Sequence, residues 1–363
     1  MTDPAPLLLH VFPTFAVGGA QARFTALANF QGPRYRHMIL ALDGRTDASV
    51  RLSPDLDVTY PMPCGGKNAF LSSILTYRRL LAEWRPACML TYNWGAIEFA
   101  FANLIPIVPH IHVIDGFGSD EYFVRLRRRV IANRMALANS TTVVPSVTLR
   151  TILTEEWSLP PATVRYIPNG IDLARFSSPG RVAEPGKPVV TGTVAALRPE
   201  KNIARLLLAF ARLDPALPAR LVIVGDGACR DELHGLAASL GIRDRVEFTG
   251  HRDDIHAQLA RFDIFALSSD TEQMPIVVLE AMASGIPVVA TDVGDIRIMV
   301  SDANAALIGD GSPEGLAQVM ARLVQDPAMR ATLGAANRVR AEDRFNQDRM
   351  FAAWDDLLAA RIL

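Results

Sequence analysis

"VVTGTVAALRPEKNIARLLLAF", residues 189–210, passes from a β-branched run through a short polar turn into an apolar periodic segment. "VVTGTV" (189–194) reads as a buried strand and the segment near 202–213 as a helix, giving one strand–loop–helix unit. That unit recurs. Downstream lie the strand candidates "RLVIVG" (220–225), "VEFTG" (246–250), "DIFALS" (263–268), "PVVAT" (287–291) and "AALI" (305–308), with helical patterns near 229–240 and 276–284. Upstream, "LLLHVF" (7–12), "HMILAL" (37–42), "ACMLTY" (87–92), "PIVPHIHV" (106–113) and "TTVVP" (141–145) alternate with helical patterns near 69–84, 95–104, 120–138 and 146–156. Strands alternating with helices imply parallel pairing, so the chain reads as α/β with two Rossmann-like, doubly wound halves facing across a central cleft. The Pro/Gly-rich segment "SSPGRVAEPGKP" (177–188) separates them, predicting domains over 1–178 and 179–345. A closing helix over 346–363 sets Met350, Trp354, Leu357, Leu358 and Ile362, with Phe345 before it, close to one face that needs a surface to bury against.

Composition excludes several classes. The 363 residues are 50% hydrophobic and 21% charged, which a disordered chain is not. A net charge of -1 disfavours nucleic acid as the main partner. "MTDPAPLLLHVF" lacks a basic n-region and a long apolar core, so no signal peptide is expected and a cytoplasmic location is. The most apolar tract, 99–114, is interrupted by Pro106, Pro109, His110 and His112 and is too short to span a bilayer. Cys64, Cys88 and Cys229 show neither disulfide-framework nor metal spacing, and read as unpaired thiols in a reducing compartment. Arginine is the habitual cation; lysine occurs only at Lys67, Lys187 and Lys201.

In an open parallel sheet, ligands sit beyond the carboxyl ends of the strands, so the loops after Phe12, Val194, Val224 and Ser268 are the places to look. Arg198 offers a planar donor fork and Lys201 a mobile ammonium beside a helix N-terminus, a sensible diphosphate clamp or merely two solvated cations. "VGDG" (224–227) ends a strand in Gly225 and Gly227, which lets a ligand approach the backbone; Gly18 and Gly19 hold the matching place in the first half. "TEQMPIVVLEAMASG" (271–285) carries Glu272 before a helix that Pro275 starts and Gly285 stops, and Glu280 about one turn inside it. The N–H groups near Ile276 and Val277 are free to meet phosphate oxygens, and an ionised Glu280 is an acceptor for vicinal hydroxyls, as on a ribose. Taken bare, two glutamates at this spacing are also common by chance.

"IPNGID" (167–172), "LRPEKN" (197–202), "VGDG", "FTG" (248–250), "EQMPIVVLE" (272–280) and "EAMASGIPVVATDVGD" (280–295) follow one another in this order. Together with "GGAQ" (18–21) and "NSTTVVPS" (139–146), the chain resembles, over nearly its whole length, a family 4 glycosyltransferase of the GT-B fold. The resemblance implies an acceptor-binding first domain and a second that holds a nucleotide-diphosphate sugar. It also implies transfer of a hexose-type sugar with retention to a hydroxyl acceptor, glycan or lipid-linked, and no required metal or cofactor. Arg198 and Lys201 would hold the diphosphate, Glu280 the ribose and Glu272 the donor sugar. Backbone from Met274 through Pro275 and Ile276 to Val277 would cap phosphate or sugar, and the closing helix would return to the first domain. Three positions depart from the family pattern. Gln273 stands where glycine often follows the first glutamate, "GDIRI" (294–298) stands where "GGxPE" is common, and Asp115-Gly116 stands where histidine often precedes glycine. His112 and Asp115 are the first-domain candidates for lining the site. With no side-chain nucleophile in view, the leaving phosphate is expected to help take the acceptor proton.

"VRLRRRVIANR" (124–134) sets Arg125, Arg127, Arg128 and Arg129 in a run that reads either as a solvated helix face or as a peripheral contact with anionic lipid on the inner face of the membrane. Nucleotide-sugar epimerase or hydrolase chemistry, or non-catalytic nucleotide-sugar binding, fit the same two-domain plan.

Overall fold

The computed structural model describes residues 4–62, 70–117, 126–176, 186–309 and 311–362, which form two compact units. The first comprises Met1–Pro168 and Met350–Leu363, the second Asn169–Arg349. The first sheet is built from β1 (Leu7–Phe12), β2 (Arg36–Ala41), β3 (Val58–Thr59), β4 (Cys88–Tyr92), β5 (His110–Val113), β6 (Thr141–Val144) and β7 (Val164–Tyr166). All its pairs are parallel, in the order β3-β2-β1-β4-β5-β6-β7.

The second sheet holds β8 (Val189–Val194), β9 (Ala219–Val224), β10 (Val246–Gly250), β11 (Ile264–Leu267), β12 (Val288–Thr291) and β13 (Ile308–Gly309). Its order is β10-β9-β8-β11-β12-β13, again parallel throughout. Its strands are near-continuous apolar runs because both faces are covered: Leu221, Ile223, Ile264 and Val289 enter one cluster, Val222, Val224, Phe265 and Val288 another. The strand order reverses between β1 and β4 in the first unit and between β8 and β11 in the second, which marks one ligand-binding position in each.

The division falls at Pro168/Asn169, ten positions before the boundary expected from the linker. Ile171 and Phe176 explain it, since both are buried in the second unit's core. Ile171 also exchanges backbone hydrogen bonds with Phe345 (2.7 Å) and Gln347 (3.1 Å). Phe345 correspondingly sits in the second core and not on the face of the closing helix. That helix, Gln347–Ile362, places Met350, Phe351, Trp354 and Leu358 in the first unit's core beside Leu8, Phe24 and Ile167. Its Asp355 accepts from Gln31 and Arg34, both at 2.8 Å. The edge strands β3 and β7 were not expected, because two or three residues carry no readable alternation. Among the described residues no helix is long and apolar enough to cross a membrane.

Candidate active site

In the second unit the reversal point is formed by the loop after β8, residues 195–202, and the loop after β11, residues 268–275. The two loops are stitched together by polar contacts. The Asp270 N–H donates to the Glu200 carbonyl (2.8 Å) and the Ser268 hydroxyl to the Lys201 carbonyl (3.1 Å). Arg205 donates to Asp270 (2.6 Å) and to the Ser268 carbonyl (2.9 Å), while Asn202 both donates to Asp270 and caps the helix Ile203–Ala211 through the Arg205 N–H. On this frame Lys201 Nζ meets Glu272 Oε1 at 2.6 Å, with the two side chains 26% and 12% exposed. The Ser269 hydroxyl donates to the same carboxylate oxygen at 2.8 Å. Lys201 keeps two further N–H donors for a ligand anion, and Arg198 is exposed one turn earlier.

Two glycines permit the close approach. Gly225 has φ +138°, and a Cβ there would stand 1.9 Å from the Ala195 carbonyl oxygen. The 224–227 loop therefore lies backbone to backbone on the 195–198 loop, held by Ala195 N–H to Val224 O (3.0 Å) and Leu197 N–H to Asp226 O (2.9 Å). Gly227 lies in the same contact, its α-carbon facing the Leu197 carbonyl. Gly294, at φ +56°, lies under the turn that carries Glu272; a Cβ there would meet the Glu272 carbonyl oxygen at 2.4 Å. Asp295 is buried and its N–H donates to the Gln273 carbonyl (2.9 Å). Arg297 pairs with Asp292 and caps the carbonyls of Ala305 and Ile308, so the departures at 295 and 297 serve the scaffold.

Met274 and Pro275 are buried before the helix Ile276–Ala283, whose first turn leaves Ile276 and Val277 half-buried. Met274 is held from the other end of the unit: the buried Asn169 donates Nδ2 to its carbonyl (3.0 Å) and its own N–H to the sulfur (3.3 Å). Glu280 has a different environment from Glu272. Burial pushes its carboxyl up to about 7, against the opposing pull of the Arg175 guanidinium. The two glutamates thus have separate surroundings: Glu272 is held by Lys201 and Ser269, whereas Glu280 is buried and feels the Arg175 guanidinium only through its charge.

In the first unit the reversal point opens on a cavity of about 570 Å³. Gly19, Trp94, His112, Asp115, Arg129 and Trp157 line it, with Gly18 preceding as N-cap of the helix Gly19–Gln31. Asp115 Oδ1 pairs with Arg23 at 2.5 Å, and its N–H is fixed by Asn93 Oδ1 at 2.9 Å. His112 is fully buried and burial alone pushes its imidazole down to about 3. Held neutral by burial, the ring is a weak proton acceptor at neutral pH. Arg129 turns inward, its guanidinium 5.0 Å from the Trp94 ring centre, and Arg125 lies outside the described residues.

Residues 17–175 match the family described as Glycosyltransferase Family 4, and residues 175–340 match Glycosyl transferases group 1. The D-inositol 3-phosphate glycosyltransferase of Actinosynnema mirum is 32% identical over 289 residues, covering 74% of this chain and 67% of that protein. The chain belongs to the family 4 glycosyltransferases. The lipopolysaccharide core biosynthesis glycosyltransferase LpsE of Rhizobium meliloti is 31% identical over 198 residues, covering 52% of this chain and 57% of LpsE. The chain spans about half the length of several of the curated relatives it matches. Among solved structures, Anabaena HepE in complex with UDP-glucose superposes with a TM-score of 0.81 at 21% identity, covering 98% of this chain and all of HepE. That likeness gives the GT-B fold.

Against this family background, the residues that sequence reasoning missed are Asn169, Arg175, Asn202, Arg205, Ser269 and Asp270. Asn169 and Asn202 stood inside quoted motifs, but nothing in a linear motif says which neighbour a side chain will reach. Arg175 and Asp270 carried no signal at all.

Proposed function

We propose that this protein transfers a hexose-type sugar from a nucleotide-diphosphate sugar to a hydroxyl of a glycan or lipid-linked acceptor, with retention at the anomeric carbon and without a resident metal. Family membership supports the class. The observation that carries the reading is the Lys201–Glu272 contact at the β8/β11 reversal point, beside exposed Arg198 and the start of a nine-residue helix. As the glycosidic bond loosens, positive charge grows on the sugar and negative charge on the leaving diphosphate. Cations already in place stabilise that separation with little rearrangement. Lys201 joins the two ends: one N–H holds the carboxylate that faces the sugar, and the others face the phosphate. The leaving phosphate takes the acceptor proton, since the buried His112 is too weak a base. Glu280 accepts from the ribose hydroxyls.

The acceptor side of the reading includes a peripheral contact at a cytoplasmic, anionic membrane face. On the helix Arg127–Ala136, Arg127 and Arg128 are exposed and Ile131 and Met135 are 60% and 54% exposed, a mixed basic and apolar edge that suits lipid headgroups. Arg129 takes no part, being turned onto Trp94. Co-sedimentation with anionic but not neutral liposomes at low salt is expected; equal recovery from both sinks this part.

The test of the main reading is a thermal-shift panel of nucleotide sugars, beginning with UDP-glucose because HepE was crystallised with it. A donor that raises the melting temperature is then followed for acceptor-stimulated transfer by NMR of the anomeric proton. Donor hydrolysis or epimerisation unstimulated by any acceptor, or no shift with any nucleotide, would overturn the proposal.

A further inference from the structure

Four buried side chains behind the first-unit cavity form an unbroken hydrogen-bonded row. Ser140 Oγ lies 2.7 Å from His110 Nδ1, His110 Nε2 lies 2.8 Å from Thr91 Oγ1, and Thr91 Oγ1 lies 2.7 Å from His112 Nδ1. The sheet builds this row. Thr91 and His112 are partners in the β4/β5 register, and His110 is two residues before His112, on the same face of the strand. The far end, His112 Nε2, is buried, has no hydrogen-bond partner among the described residues, and belongs to a residue lining the cavity.

The direction of the row can be worked out from its closed end. The Ser140 hydroxyl has His110 Nδ1 as its side-chain partner and is nearly buried. A buried hydroxyl with one such partner satisfies its proton by donating, because an orphaned O–H costs more than an unused lone pair. His110 Nδ1 is then the bare nitrogen and Nε2 carries the proton, which it donates to Thr91. The Thr91 hydroxyl in turn donates to His112 Nδ1. His112 Nε2, on a ring that lines the cavity, is left carrying its proton. Burial keeps both rings neutral, so nothing but this chain of donors selects the tautomer. Asp115 lines the same cavity; among the described residues its buried Oδ2 has no hydrogen-bond partner, while Oδ1 is held by Arg23.

We propose that Ser140, His110 and Thr91 are positioning residues that fix His112 as a neutral Nε2–H donor, and that this donor and Asp115 Oδ2 together form a subsite for a hydroxyl group of a saccharide substrate. A hydroxyl alone answers both atoms, accepting from His112 and donating to Asp115. A carboxylate or fully ionised phosphate accepts from the imidazole but has no proton to donate to Asp115 Oδ2; an ammonium donates to Asp115 but cannot accept from the imidazole. Trp94 and Trp157 supply apolar surface on the same walls, which suits the C–H face of a sugar ring. The choice of a saccharide rests on the glycosyl-transfer reading, whereas the tautomer does not.

The test is nitrogen-15 NMR of histidine-labelled full-length protein, which separates protonated from bare ring nitrogens residue by residue. Wild type is expected to show His110 and His112 as neutral Nε2–H tautomers. Thr91→Val should leave His112 in a mixture of both tautomers, and Thr91→Ser should restore the single form. An Nδ1–H tautomer or a cationic ring at His112 in wild type overturns the row, and that measurement needs no variant to fold. For the ligand, methyl α-D-glucopyranoside is titrated against inorganic phosphate. The subsite stands if the glucoside shifts the His112 Nε2–H resonance and phosphate does not. It falls if phosphate shifts it alone or neither probe does. A protein with the ordered tautomer but no activity toward nucleotide sugars sinks the glycosyl-transfer reading and leaves the row. The converse result sinks the row and leaves the activity.

Discussion

The two units place their candidate sites at equivalent points, the reversal of strand order in a parallel sheet, yet furnish them with opposite chemistry. At the β8/β11 reversal the side chains are charged and partly open to solvent, with Lys201 on Glu272 and Arg205 on Asp270. At β1/β4 most are buried and uncharged, two tryptophans and a row of hydroxyls and imidazoles, beside the Arg23–Asp115 ion pair and the Arg129 guanidinium over Trp94. Topology explains the shared position and nothing of this difference. The charged site suits a diphosphate, whose oxygens need cations already in place. The neutral one suits hydroxyls, which need donors and acceptors at fixed angles. Substitutions that act on one chemistry and not the other are the means of testing the contrast.

The largest effect is expected at Lys201. Lys201→Ala removes the cation proposed to face the leaving group and leaves the Glu272 carboxylate with the Ser269 hydroxyl as its partner among the described residues. If the contact acts like one oxyanion donor, turnover should fall about 100- to 1000-fold, or about 2.7–4 kcal/mol of transition-state stabilisation. Steady-state kinetics at saturating donor checks this, with the melting temperature confirming that the fold survives. Turnover within a few-fold of wild type would remove Lys201 from the chemistry.

Acid should separate the units next. His10, His37, His110 and His112 are all held below the usual imidazole range by burial, His37 to about 4 and His112 to about 3. All four lie in the first unit. A group whose folded pKa is depressed binds its proton sooner in the unfolded chain, so stability is full above about 6.5 and falls as pH drops below that value. Each contributes about 1.4 kcal/mol of loss per pH unit until its own folded pKa is reached. The first unit should therefore unfold before the second on acidification from pH 7 to 5, as followed by hydrogen exchange of amides on β5 and β12. Equal loss of protection in the two strands would contradict the contrast.

Backbone comes third. Gly294→Ala places a Cβ against the Glu272 carbonyl at a positive φ that favours glycine. A destabilisation of about 2 kcal/mol is expected, with a raised KM for the donor because the turn bearing Glu272 must move. Urea unfolding and donor kinetics on the same preparation test both halves. An unchanged KM would show that the turn does not hold the donor.

How far the sequence revealed all this depended on range. The parallel sheets were legible because "LLLHVF" and "VVTGTV" are apolar runs between helical segments, and β1 and β8 form over those residues. The closing helix was legible from the face it carries, except that Phe345 belongs to the other unit's core, a tertiary choice that periodicity does not encode. In the site, the motif glycines at 225 and 294 are required by backbone contacts only seen once loops distant in sequence are side by side. Lys201 and Glu272 were read as holding different parts of one ligand; their direct contact joins loops 71 residues apart. The Ser140–His110–Thr91–His112 row was invisible for the same reason. "HIHV" reads as an ordinary strand until β4 supplies the threonine between its histidines.

The smallest effect falls on Glu280, and here the sign of the pH dependence decides. Its carboxyl is raised to about 7, so the folded chain holds a proton that the unfolded chain has lost above the usual carboxylate range. Stability therefore falls as pH rises toward 7 and levels off beyond it, opposite to the histidines of the first unit. A nucleotide that donates ribose hydroxyls to the ionised carboxylate should bind more weakly as pH drops below about 7. Glu280→Gln should weaken nucleotide binding by about tenfold at pH 8, the equivalent of one charge-assisted hydrogen bond, and flatten that pH dependence. It should also raise the melting temperature of the free protein more at pH 8 than at pH 5, because an amide is cheaper to bury than a carboxylate. Calorimetric titration with UDP across that range tests the binding. If wild type and variant lose affinity in parallel on acidification, the dependence belongs to the phosphates, and Glu280 is a scaffold carboxylate set against Arg175.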